Sequence, residues 1–186
     1  MLITGPKEQE INKYLNSGPQ THITEGIQKI VSGIEGTNLE KTKKILDLGS
    51  SLVERKGFDR EVFRKRTASE ILKDGFITGC TDAALLFVAL ARATNIPAKY
   101  VETIDEQWLK EGGDLIRGHV YSQIFDDITN KWIWVDPLNC QFDAPPIGRI
   151  IYKEGLDSWD IGIRDFDSLK KAFKEFRKQI ELNNSR

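Results

Sequence analysis

The run Ala-Ala-Leu-Leu-Phe-Val-Ala-Leu-Ala at residues 83–91 constrains this chain more than any other feature. It is apolar on every side and built from helix formers, so it predicts a helix buried all round, which the rest of the chain must enclose. A polar turn, Ile77-Thr78-Gly79-Cys80-Thr81-Asp82, leads straight into it. A thiol in the first turn of such a helix faces unpaired backbone N–H groups and the positive end of the macrodipole. Both favour thiolate over thiol, and the thiolate is the nucleophile. Asp82 opposes that effect, and it is expected to point along the helix towards solvent. The ordinary alternative for Cys80 is a small buried hydrophobe. Two residues further along shift the balance.

His119 is one of two histidines and lies in the strand-like segment 117–125. The turn-rich stretch Asp126-Asp127-Ile128-Thr129-Asn130 separates it from a second strand-like run, Lys131-Trp132-Ile133-Trp134-Val135-Asp136-Pro137. Together they predict a β-hairpin. With an even-length loop centred between Ile128 and Thr129, facing residue numbers sum to 257. Tyr121 then faces Asp136, with His119 two residues along on the same face. Such diagonal neighbours lie about 7–8 Å apart at the backbone, within reach of an imidazole and a carboxylate. An odd loop would put them on opposite faces. In the even register Asp136 orients the His119 ring, and His119 serves as base for a nucleophile.

Gly79-Cys80-Thr81-Asp82 opening an apolar helix is followed by Asn95-Ile96-Pro97-Ala98-Lys99-Tyr100-Val101, then Gly118-His119, then Trp134-Val135-Asp136-Pro137. Over residues 67–137 this order resembles the core of the transglutaminase-like superfamily, in which a helix-borne cysteine, a strand-borne histidine and an aspartate on the next strand occur in that sequence. The resemblance implies a papain-like thiol site for acyl transfer on amides, with Cys80, His119 and Asp136 as the catalytic residues. There are departures. Transglutaminases proper use an indole N–H upstream of the cysteine for the oxyanion, whereas Trp108, Trp132, Trp134 and Trp159 all lie downstream of Cys80. The papain signature around the cysteine and the Arg-Gly-Gly-x-Cys pattern of arylamine N-acetyltransferases are also absent.

The remaining segments suit one α+β domain over residues 1–186, with a core at about 67–137 and an N-terminal helical part at about 6–66. Ile23, Ile27, Ile30, Val31 and Ile34 fall at helical spacing, as do Leu39, Thr42, Ile45, Leu46, Leu52 and Val53 after an Asn38 cap. Thr67-Ala68-Ser69-Glu70 matches a capping box for a short helix ending near Gly75. Asn95 is the expected left-handed end of the Cys80 helix, and Pro97 stops its continuation. Strands are expected at 98–104, 117–125, 131–136 and 147–152. Leu169, Ala172, Phe173, Phe176 and Ile180 predict a last amphipathic helix capped by Asp167. Helices, then strands, then a helix describe a transglutaminase-like or papain-like α+β fold, the cysteine helix packed against an antiparallel sheet.

Formal net charge is -1, so bulk charge argues for neither nucleic acid nor membrane as partner. The nine-residue run at 83–91 is far too short to span a bilayer. Met1-Leu2-Ile3-Thr4-Gly5-Pro6-Lys7 lacks a basic region followed by an apolar run, and with two cysteines this points to reduced thiols in a cytoplasm. Cys140 follows Asp136-Pro137-Leu138-Asn139 at a strand exit with no helix start behind it, which argues against it as nucleophile. Two cysteines and two histidines without a Cys-x-x-Cys pair argue against a metal site. His22 reads as a surface residue. Lys170, Lys171, Lys174, Arg177 and Lys178 read as a solvated helix face. Trp132 and Trp134 share a face with Asp136 and either wall a cleft or fill core, core being expected for at least one. Residues 105–116 read as a loop of a length often functional, a lid or an idle excursion.

The resulting expectation is a cofactor-free thiol enzyme acting on amide groups of a protein or peptide. Cys80 attacks the carbonyl, with its own N–H as one oxyanion donor. With no tryptophan before Cys80 to build a dry acyl tunnel, hydrolysis is expected over crosslinking. The competing class is a non-enzymatic interaction domain that keeps the fold, against which the complete triad argues.

Overall fold

A computed structural model describes residues 8–184; the N-terminal segment read above for a targeting signal lies outside the described residues. The apolar run behaves as its composition dictates. Helix α5 (Cys80–Ala93) is buried at every position from Thr81 to Arg92, and the other elements are arranged around it. Before it come α1 (Glu8–Lys13), α2 (Glu25–Ile30), α3 (Asn38–Leu52), β1 (Glu54–Arg55), α4 (Ala68–Asp74) and β2 (Phe76–Ile77). After it follow β3 (Ala98–Asp105), α6 (Glu106–Glu111), β4 (Gly118–Asp126), β5 (Lys131–Asp136), β6 (Gln141–Phe142), β7 (Arg149–Gly155) and α7 (Phe166–Asn184). Strands β6-β5-β4-β3-β7 form one antiparallel sheet, and β1 pairs with β2 in parallel. This is the mixed helix and antiparallel-sheet architecture expected.

Two apolar layers hold α5. Ile27, Ile45 and Leu46 from α2 and α3 meet Leu86, Leu90 and the sheet residues Ile124 and Val135. On the other side Ile71, Leu85, Val120, Ile163 and Phe173 close the core. Each such side chain contributes about 1.5–3 kcal/mol on burial. Truncating the fully buried Leu85 to alanine would therefore destabilise by about 2–5 kcal/mol, since the cavity left adds to the transfer term.

The hairpin register is the even one. Ser122 pairs with Val135 and Gln123 with Trp134, the last pair being Asp126 with Lys131 across a four-residue turn. The Asp126 carboxylate holds that turn by accepting from the N–H groups of Ile128 and Thr129, and Asn130 takes the left-handed conformation at φ 54°. Thr67 and Glu70 form the expected capping box, Gly75 ends α4 at φ 72°, and Asn95 leaves α5 at φ 63°.

Several expectations are corrected. The cap of α3 is Thr37, boxed with Glu40; Asn38 instead donates to the Phe125 carbonyl at 2.9 Å. The helix expected over residues 23–34 spans only Glu25–Ile30, capped by Thr24, because Gly33 and Gly36 take positive φ beyond it. Asp165, not Asp167, caps α7, accepting from Ser168 N–H at 2.7 Å. The predicted loop at 105–116 contains α6, nucleated by the Asp105 carboxylate on Trp108 N–H. The strand expected at 147–152 begins at Arg149 and runs on to Gly155.

Candidate active site

The turn before α5 is braced from within. Asp82, 1% exposed, accepts from the Thr78 N–H and hydroxyl, each at 2.8 Å, and from Arg66 Nη2 at 2.6 Å. It does not point to solvent as expected. Its charge is answered by a buried guanidinium sixteen residues earlier, and the two together fix where α5 begins. Gly79 precedes Cys80 without a capping side chain, so the first residue of the helix is a half-buried thiol at an end not closed by a neighbouring oxygen.

His119 and Asp136 share one face of the sheet, opposite the face whose Val120, Ile124 and Val135 pack around α5. His119 Nε2 meets Asp136 Oδ2 at 2.9 Å, the carboxylate accepting. With Nε2 engaged, Nδ1 is the ring nitrogen left to face Cys80, which acts on the imidazole electrostatically. The structure thus brings together the three residues singled out in the sequence, across 39 and 17 positions. Burial works hardest against a charge on the imidazole. The Asp136 carboxylate bonded to the ring, and Cys80 beside it, outweigh burial and raise the pKa to about 9. Burial likewise opposes the Asp136 charge, and His119 and Asn139 overcome it, holding that carboxyl below its ordinary value.

Sequence reasoning missed three supporting residues. Asn139 donates Nδ2 to Asp136 Oδ2 at 2.8 Å and its N–H to Oδ1 at 3.3 Å. An Asx turn at Asp-Pro-Leu-Asn was the available signal. Tyr121 presses edge-on against His119, ring centroids 4.7 Å apart, and Trp134 stands edge-on to Tyr121 at 5.9 Å. Trp132 meets Tyr14 and Phe125, so the two indoles pack on the histidine face of the sheet rather than against α5. Arg66 had no local signal at all.

Cys140 sits exposed in a turn at φ 51°, its sulfur 3.9 Å from the Pro137 carbonyl. It lies on the rim of an apolar hollow of about 200 Å³ bounded by α3, α5 and Pro137-Leu138. A second hollow, of about 380 Å³, is lined by Cys80 itself. No cluster of three or more histidine, cysteine or carboxylate side chains able to hold a metal exists among the described residues. None of the described helices is long and apolar enough to cross a membrane. His22 is exposed. Of the basic residues on α7, Arg177 is not idle. It donates to the Leu109 carbonyl at the end of α6 and pairs with Glu181.

The family model of the transglutaminase-like superfamily matches residues 28–137, more than half of the chain. No curated protein sequence matches. Among solved structures, a candidate cysteine protease from Cytophaga hutchinsonii superposes with a TM-score of 0.65 at 21% identity, over 84% of this chain and 50% of that one. A candidate protease from Parabacteroides distasonis gives a TM-score of 0.47 at 13% identity, over 68% of this chain and 25% of its own. This chain therefore spans about half the length of the Cytophaga protein, and at that identity the likeness is one of fold.

Proposed function

The chain belongs to the transglutaminase-like superfamily, and from that premise we propose that it is a thiol enzyme that hydrolyses amide bonds of a peptide or protein, with Cys80, His119 and Asp136 as its triad. The observation that carries this reading is the His119 ring, held between the Cys80 thiol and the Asp136 carboxylate. A ring that keeps its proton up to a pH of about 9 is an imidazolium at neutral pH, which suits it to act as acid towards a departing amine.

Cys80 Sγ attacks the carbonyl carbon, forming the C–S bond while the oxygen takes up negative charge near the Cys80 N–H. His119 Nδ1–H passes its proton to the amine nitrogen as the C–N bond breaks, leaving a thioester and neutral imidazole. Nδ1 then takes a proton from water as the water oxygen attacks the thioester, and thiolate leaves to restore the starting pair. Asp136, itself held by Asn139, keeps Nε2 protonated and Nδ1 turned to sulfur. No cofactor enters this sequence.

Water is favoured over an amine acceptor because the thiol is half-buried rather than enclosed and lines a hollow in which Phe58 and Leu115 stand exposed to solvent. The name borne by the Cytophaga neighbour, a candidate cysteine protease, is in keeping with a peptide substrate. The test incubates the protein with a glutamine-containing peptide and a primary amine, and weighs the products by mass spectrometry. Cleaved peptide or released acid, lost in Cys80→Ala, is expected. Amine adducts in excess would make the protein a crosslinking enzyme, and products that survive Cys80→Ala would remove the thiol from the chemistry.

A further inference from the structure

The hollow of about 380 Å³ that Cys80 lines has a definite chemistry. Its walls are Phe58, Phe63, Phe166, Leu169, Leu115 and Ile116. Phe58, Phe63 and Phe166 pack on one another at centroid distances of 5.3–6.0 Å, tilted or edge-on, so this wall is formed before any ligand arrives. Two large apolar side chains are nonetheless left in water at its mouth. Phe58 is 60% exposed and Leu115 75% exposed. They come from separate segments, one ahead of α4 and one between α6 and β4. Exposed apolar residues converging on one concave spot mark a binding surface more than chance scatter does.

The hollow also offers a ligand no free charge. Its single ionic lining residue, Arg64, is 2% exposed and neutralised by Glu102 at 2.7 Å, with Tyr100 Oη at 3.0 Å and Ser158 Oγ at 2.8 Å on the same guanidinium, which leaves only its buried Nε–H without a partner. An ammonium placed there would lose hydration beside a cation, and a carboxylate would recover at most that one N–H. A phenyl or branched aliphatic group would exchange water for the three rings. Because the thiol stands in the same hollow, whatever fills it lies next to the bond under attack.

We infer that this hollow is a specificity site, receiving a large apolar side chain of the substrate beside the scissile amide, so that the enzyme selects peptides by an aromatic or branched aliphatic residue at that position. The inference rests on Cys80 being the nucleophile, and the experiment separates the two. The full chain is alkylated with iodoacetamides carrying an N-phenethyl, N-isobutyl or N-carboxyethyl group, and labelling of Cys80 and Cys140 is followed by peptide mass mapping. Cys140 borders the other apolar hollow, so a free neutral thiol, N-acetylcysteamine, added to the same tube reports each reagent's intrinsic reactivity.

Relative to the free thiol, the phenethyl reagent is expected to label Cys80 at least about tenfold faster than the carboxyethyl one, the scale on which an apolar pocket discriminates. Phe58→Asp and Leu115→Asp, both at exposed positions, should each bring that ratio close to the free-thiol value. Rapid labelling of Cys80 with the same reagent order as the free thiol would overturn the specificity site and leave the nucleophile standing. A Cys80 that none of the reagents labels faster than the free thiol would overturn both.

Discussion

The two ends of α5 do opposite work. At the N-terminal end Gly79 supplies no cap, and Cys80 is half-buried and faces a histidine. At the C-terminal end Arg92 is 3% exposed, and its guanidinium is used up on structure. It donates to the carbonyls of Tyr14, Ala98 and Leu156 and to the Thr21 hydroxyl, tying an N-terminal segment, β3 and the end of β7 to one helix turn. Burial lowers the Arg92 pKa to about 10 even against the pull of Asp157, so it remains a cation at neutral pH. One end leaves a half-buried thiol beside a histidine, and the other leaves no guanidinium nitrogen without a bond. On the proposed function, reactivity and rigidity are segregated along a single buried helix.

The sharpest way to break that contrast is to exchange the losses. Cys80→Ala should abolish amide hydrolysis, by on the order of 10⁶-fold, while the urea midpoint stays near that of the wild type. Arg92→Met should do the reverse, lowering stability by about 3–5 kcal/mol in urea titration because several buried acceptors lose their donor at once. If Cys80→Ala unfolds the chain or keeps its activity, or Arg92→Met is as stable as the wild type, the two ends are not specialised.

A smaller effect is expected one residue further out in the site. Asp136→Asn should cut the hydrolytic rate by roughly 10²–10⁴-fold, since an amide can hold the imidazole in the wrong tautomer and no longer balances imidazolium. Single-turnover rates against a peptide substrate check this. Full activity in the variant would mean that another group orients His119.

The smallest effect is a matter of pH. Because the folded-state pKa of His119 is raised from 6.5 to about 9, the folded form holds this proton more tightly than the unfolded chain. The stabilisation is therefore present in full below about 6.5 and lost as pH climbs through about 9. Hydrolysis should fall over the same alkaline limb, as the acid that protonates the amine disappears. Asp136, with its pKa lowered, contributes the opposite limb, present above 3.8 and lost as pH falls through its depressed value. An alkaline limb centred near 6.5 instead, followed by rate profiles of wild type and His119→Ala, would show that the Cys80 and Asp136 contacts do not hold the proton.

What could be read from the chain alone is what depends on near neighbours. The nine apolar residues after Cys80 determine a buried helix because no face of it tolerates water. The four-residue turn and the period of two determine which residues of β4 and β5 share a face, and with them the meeting of His119 and Asp136. The capping box at Thr67 and the left-handed Asn95 are local in the same sense. The choice between Thr37 and Asn38 as cap was not legible, since both can cap, and what decides is the Phe125 carbonyl 87 positions away claiming the Asn38 side chain. Asp82 turned inward for the same kind of reason, a buried Arg66 waiting for it. The hollow beside Cys80 draws its walls from segments around Phe58, Leu115 and Phe166 that share no pattern in sequence. Propensity and periodicity act over a few residues, whereas a buried charge or an open hollow is defined by whatever the closed chain brings beside it, and only the tertiary structure decides that.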